Sequence, residues 1–173
     1  HLIEVDGSPL LDGTGPGLKF QPDLVWIKSR SQTSFHVLCD SVRGAGVVLS
    51  SNRTTGDTNN SDSQNAFKSF NSDGFTVGQG SAWSVNDSNQ THVAWCWKAG
   101  GTAVSNTNGS ITSSVSANTA HGFSIIKFTT ASNTSGGATV GHGLGAKPGL
   151  YIYKPTSTTG EWVVVSSHDY DQF

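Results

Sequence analysis

Methionine is absent from this sequence, and no stretch rich in Ala, Glu, Leu and Lys recurs at helical spacing. A chain so poor in strong helix formers is expected to hold essentially no α-helix. No apolar run approaches the ~20 residues that carry a helix across a bilayer, and no charged start followed by an apolar stretch reads as a signal peptide. Excess positive charge is missing too. Ten Lys and Arg stand against twelve Asp and Glu, a net of -2, which gives no basic field for nucleic acid and no polybasic membrane anchor. Only two cysteines occur, Cys39 and Cys96, far apart and each in an apolar run, without the close spacing of a zinc or redox pair. Buried free thiols are the favoured expectation, with a cross-strand disulfide as the alternative that strand context permits.

What is present is the composition of short strands joined by many turns: charged residues make up 13% of the chain, while Gly, Ser, Thr and Asn abound. With 173 residues the chain is long enough to bury a core. Its organising stretch is Thr14 to Lys28, TGPGLKFQPDLVWIK, which recurs as Val140 to Lys154, VGHGLGAKPGLYIYK. Gly15, Gly17, Leu18, Pro22, Leu24 and Lys28 match Gly141, Gly143, Leu144, Pro148, Leu150 and Lys154 without a gap. The register runs on from His36–Arg43 into Trp162–Asp169. Each copy reads as a glycine-permitted loop, a proline that ends it, and an apolar strand.

Taken in order, an apolar run at Leu2–Val5 and a turn-rich connection lead to DLVWIK, whose two faces, Leu24 and Trp26 against Val25 and Ile27, are both apolar. It is expected to be covered on both sides. SRSQTS then turns the chain into FHVLCDSV, most economically as a hairpin. VVLSS (47–51) precedes a polar loop, 52–64, expected to be exposed. AFKSFNSDGFTVG reads as two strands about an Asn-Ser-Asp-Gly turn, with Phe67, Phe70 and Phe75 as core plugs. THVAWCWK (91–98) is the most apolar strand and is placed at the centre of a sheet. The expected division is a first β unit at 1–98, a Gly/Ser/Thr/Asn-rich connection with one marginal strand at 99–120, and the start of a second β unit at 121–173. That second unit is expected to be cut short or completed by a partner. About twelve short strands predict an all-β fold, a β-sandwich of jelly-roll or concanavalin A-like kind.

The ordered motifs PDLVWIKSRS, DSVRG, SNRTT, FNSDGFTVG and VAWCWKAGG resemble an uncharacterised repeated domain of large virion proteins in marine and cyanobacterial tailed phages. GFSIIKFT, ATVGHGLGAKP and the WVVV strand resemble its companion unit. The resemblance covers nearly the whole chain from about residue 14. It implies a place in the virion, in a tail fibre or similar surface appendage, and an extracellular one after release. It brings no catalytic residues.

Several local patterns invite a chemical reading. GHGLG (141–145) is followed by Lys147-Pro148 and a strand where a dinucleotide loop needs a helix, so it reads as a structural turn. His36, Asp40 and Ser41, or His168 and Asp169, supply triad residue types without a nucleophile elbow. Asp57 and Asp62 lack the alternation and closing glutamate of an EF-hand, so a loop calcium ion is not favoured and no cofactor is expected. The twelve acids show no pair of the kind a glycan hydrolase needs. Trp26, Trp95, Trp97 and Trp162 lie in strands and are expected in the core, whereas Trp83 sits in a polar loop. Trp83, with Asn86, Asp87 and Asn89, is the candidate ligand-binding set, able to stack on a sugar ring.

Two functions are therefore carried forward. The first is a non-enzymatic virion structural module that packs with copies of itself, as a homotrimer or higher assembly, and with other virion proteins. The alternative is a carbohydrate-binding, lectin-like module for host-surface glycans.

Overall fold

The computed structural model describes residues 2–6, 18–59, 66–79, 83–130 and 137–167, the first of these by backbone alone. In chain order the strands are β1 (Leu2–Asp6), β2 (Leu24–Ser29), β3 (Val37–Asp40), β4 (Phe67–Asn71), β5 (Gly74–Val77) and β6 (Thr91–Trp97). They continue with β7 (Val104–Asn106), β8 (Ser113–Asn118), β9 (Phe123–Phe128), β10 (Leu150–Tyr153) and β11 (Val163–Ser166). No helical element occurs among the described residues. The fold is all-β and sandwich-like, built from antiparallel sheets ordered β1-β6-β2-β3, β4-β5, β7-β8-β9 and β10-β11.

The four-stranded sheet has β2 and β6 inside, where sequences apolar on both faces belong. Its inner face presents Val25 and Ile27 of β2, Val37 and Cys39 of β3, and Ala94 and Cys96 of β6. Phe67 and Phe75 of the β4–β5 hairpin cover that face, together with Val48, Trp83 and Val85 from loops. Phe67 and Phe75 stack at 5.7 Å, and Phe70 closes the cluster as a partly buried neighbour. The expected Asn-Ser-Asp-Gly turn joins β4 to β5. Cys39 and Cys96 are both buried and unbridged.

On the other face the tryptophans depart from the expected core. Trp26, Trp95 and Trp97 are half-buried, because the small residues Ala94 and Cys96 take the inner side of β6 and leave the rings on the outer one. Trp26 and Trp95 face each other across the ladder, edge to face at 5.7 Å. Phe123 of β9 lies over Trp97 at 6.3 Å and thereby covers part of this face from the second half of the chain.

Residues 99–120, expected as a connection with one marginal strand, carry two strands, and β8 is the centre of a three-stranded sheet. VVLSS contributes single bridges, Leu38 to Leu49 and Val48 to Thr58. The described part of the following loop, 52–59, is fastened to the fold: Asp57 accepts an ion pair from Arg43 at 3.0 Å, and its amide donates to Thr156 O at 2.7 Å.

Candidate functional site

The ligand-binding set drawn from the sequence is split between core and surface. Trp83 is 4% exposed and belongs to the core, its ring edge-on to Phe35 at 6.2 Å. The polar sequence around it misleads because the partners of that ring, Phe35 and the inner sheet face, are remote in the chain. Asn86 and Asn89 are exposed, and Asn89 holds a positive φ of 61°. Asp87 is half-buried and accepts from Gln32 Nε2 at 2.7 Å. Ser31 Oγ donates to Gln90 Oε1 and accepts from the Thr91 amide, while His92 Nε2 donates to Ser84 O at 2.8 Å. The loop is therefore a plug held to the β2–β3 turn, and it presents no aromatic platform to a sugar.

The residue types of a hydrolytic triad are likewise spoken for. His36 Nδ1 accepts from Trp26 Nε1 at 2.8 Å, which fixes the neutral tautomer that carries its proton on Nε2. Burial, then the nearby Lys28 charge, holds the His36 pKa below its ordinary value. Asp40 lies about 13 Å along the extended chain at ~3.3 Å per residue. It accepts from the Val42 and Arg43 amides at 3.1 and 2.8 Å and pairs with Arg43 Nε. The buried Arg43 guanidinium also reaches Leu38 O at 3.1 Å, so DSVRG is an internally satisfied turn. Ser41 Oγ donates to Asp23 Oδ1 at 3.0 Å. Asp23 is fully buried and takes the Ala99 amide on Oδ2 at 2.8 Å, joining the start of β2 to the exits of β3 and β6. Asp62, His168 and Asp169 lie outside the described residues. Among the described residues no three His, Cys, Asp or Glu side chains converge.

GHGLG forms a turn that leads into β10. Gly143 adopts a φ of 73°, and a Cβ there would press on Ala117 Cβ at 3.0 Å and Val115 Cγ1 at 3.1 Å. The open cleft beside it, about 620 Å³, is lined by Asn108, Val140, His142 and Lys147.

What remains unabsorbed is the β10–β11 ribbon. All four β10 side chains are exposed: Leu150 at 56%, Tyr151 at 39%, Ile152 at 54% and Tyr153 at 52%, with Val164 of β11 at 61%. Since successive side chains point to opposite faces, the ribbon shows apolar groups on both. Its counterpart, β2–β3, is enclosed. The two hairpins are the same object: every residue of β3 plus 126 gives the residue number in β11, and Leu24↔Asp40 through Ile27↔Val37 reappear as Leu150↔Ser166 through Tyr153↔Val163 (150 − 24 = 126). The sequence repeat is a structural repeat at this point, down to register.

A family model described as a domain of unknown function, DUF7483, matches residues 7–171. The chain belongs to this family. The DUF7483 match runs through both hairpin copies. No curated protein and no solved structure matches the chain.

Proposed function

We propose that this DUF7483 chain is a non-enzymatic structural module of a phage virion, a β-sandwich unit of a tail fibre or similar appendage that acts through packing against other virion subunits. The ordered motifs support the reading through their resemblance to virion domains. The observation that carries it is the β10–β11 ribbon, whose apolar side chains are exposed on both faces as on a surface awaiting a neighbour. Among the described residues, Asp23, Asp40 and Arg43 are joined to other side chains and to the backbone. A module of this kind would make contacts and carry load between them. The sugar-binding alternative loses its stacking platform with the burial of Trp83.

The test is made on particles. Antibodies against the chain are applied to purified tailed-phage particles whose genome encodes it, and bound gold is viewed by electron microscopy alongside peptide mass spectrometry of the same particles. Gold on a tail appendage is the expected result. Particles devoid of the chain's peptides would overturn the assignment.

A further inference from the structure

The repeated hairpin shows what an enclosed ribbon looks like, and so identifies what the open one lacks. In the first copy the Ser41 amide donates to Asp23 O at 2.9 Å; in the second the Ser167 amide donates to Gly149 O at 2.9 Å, both partners 126 residues on (167 − 41 = 126, 149 − 23 = 126). In an antiparallel ladder, pairing groups alternate in direction along each strand. Val25 and Ile27 therefore turn their backbone groups toward β3, as the Asp23 carbonyl does, and Leu24 and Trp26 turn theirs toward β6, where the Asp23 amide also reaches Trp97 O at 2.8 Å. By the same count Tyr151 and Tyr153 face β11, while Leu150 and Ile152 point away from it. In the first copy that outer edge carries six register pairs with β6, from Leu24↔Trp97 to Ser29↔His92. In the second copy no described strand pairs there.

We propose that the outer edge of β10 receives an antiparallel β-strand from another polypeptide, a strand of β6's pattern with large apolar residues alternating with small ones. The first copy sets that chemistry. Trp97 and Trp95 stand opposite Leu24 and Trp26, while Cys96 and Ala94 stand opposite Val25 and Ile27. The second copy has Leu150 and Ile152 in the first role, and the bulkier Tyr151 and Tyr153 in the second, so small residues again suit the positions opposite the tyrosines. Pro148 and Pro155 bracket β10 and, lacking N–H groups, limit the ladder to the strand between them. Within β10 there is no charge, proline or bulge of the kind that protects a solvent-facing edge. A second copy of this chain is a poor donor, because its β6 is already held between β1 and β2. The incoming strand would add backbone bonds at Leu150 and Ile152 and cover apolar groups on both faces, the β-augmentation mode of recognition.

The proposal rests on the repeated hairpin and stands or falls independently of the virion reading. Its test is hydrogen exchange of the full chain with a synthetic peptide of residues 91–98 carrying Cys96→Ser, at millimolar concentration. The expected result is a tenfold or greater slowing of the Leu150 and Ile152 amides. The same peptide with Trp95→Pro, which lacks an N–H on the pairing edge, should give none. An Ile152→Lys chain, which keeps its backbone donor but places charge on the edge, should lose the slowing while the Trp26 indole resonance stays in place. Equal slowing with both peptides, or none with either, would overturn the proposal. So would slow exchange without peptide: if it grows with chain concentration the edge pairs with a second copy, and if it does not the chain covers its own edge.

Discussion

Cys39 and Cys96 stand on either side of Val25, each in register with it from a neighbouring strand, so that the two thiols share one buried face two strands apart. At ~4.8 Å per strand their Cα atoms are separated by about 10 Å, beyond the ~7 Å limit for a disulfide. Burial pushes the Cys39 thiol up to about 12 and the Cys96 thiol up to about 11. Native chain at pH 8 is therefore expected to leave Ellman's reagent unreacted over minutes, and denaturant should release two equivalents. Because the folded pKa values are raised, the thiols' contribution is fully present below their ordinary value and is lost as pH rises through the folded ones. Melting temperature should accordingly fall between about pH 9 and 12, less steeply in Cys39→Val. Rapid labelling of either thiol in the native chain would contradict this placement.

Asp23 governs the junction of three strands through contacts that only an acceptor pair can make. Asp23→Ala strands the Ala99 amide and the Ser41 hydroxyl in a buried site, which should cost about 2–4 kcal/mol in urea unfolding. Asp23→Asn keeps an oxygen for Ala99 and offers an amide to Ser41 Oγ, and should lose less than half as much. An Asn loss equal to the Ala loss would mean that the Lys98 contact at 3.5 Å holds the junction instead.

The hairpins and the central strand were legible in the sequence because their signals are local: an apolar run in DLVWIK, an Asn-Ser-Asp-Gly turn between the Phe-bearing strands, an apolar THVAWCW. The 126-residue repeat was legible for the same reason. β7 was not, since Val104–Asn106 has no pattern of its own and exists by pairing with β8. Nor could spacing reveal that Asp23 meets Ala99, 76 residues away, or that Trp83 leaves its polar neighbours for the core. The candidate site followed the same rule. Of the loop residues singled out by composition, Trp83 is buried and Asp87 is held by Gln32, while Asn86 and Asn89 stay exposed, and the open edge of β10 is visible only against the enclosed first copy of the repeat.

Trp83→Ala is expected to act on stability. Emptying a buried tryptophan site costs roughly 3–5 kcal/mol, and the loss should appear as a lower denaturation midpoint, with Phe35 and Val85 more exposed to solvent. A variant of unchanged midpoint that lost glycan binding would restore the surface role that the structure denies it.

His36 should titrate below its ordinary value of 6.5, held down first by burial and then by Lys28. For a histidine with a lowered folded pKa the unfolded chain takes the proton first, so its contribution is present above pH 6.5 and is lost as pH falls through the folded value. Protonation also removes the acceptor that Trp26 uses. Imidazole NMR should show a midpoint under 6.5 that moves upward in Lys28→Gln, with the Trp26 indole resonance shifting at the same midpoint. Independent midpoints for the two signals would break the link between them.

Gly56 lies where the loop after β3 meets the β10–β11 turn. There Asp57 N donates to Thr156 O at 2.7 Å, Gly160 N to Thr54 O at 2.9 Å, and Lys154 Nζ to Thr54 O at 2.7 Å, while Trp162 Nε1 reaches Ser50 O at 2.9 Å. A Cβ on Gly56 would overlap the carbonyl of Thr156, a backbone atom that cannot rotate aside. Gly56→Ala must therefore push the turn and the loop apart, at a cost of about 1–3 kcal/mol. The strain falls on the attachment of the ribbon and not on the Phe67–Phe75 core, so limited proteolysis should cut faster near residues 155–160 while the Trp26 indole signal is retained. Trp162→Phe, which removes one of the same contacts without a clash, should accelerate cleavage in the same place but less. Cleavage at the wild-type rate in both variants would mean that these bonds do not hold the ribbon. Faster cleavage confined to this turn would show that they do, and that the ribbon is tethered at its turn.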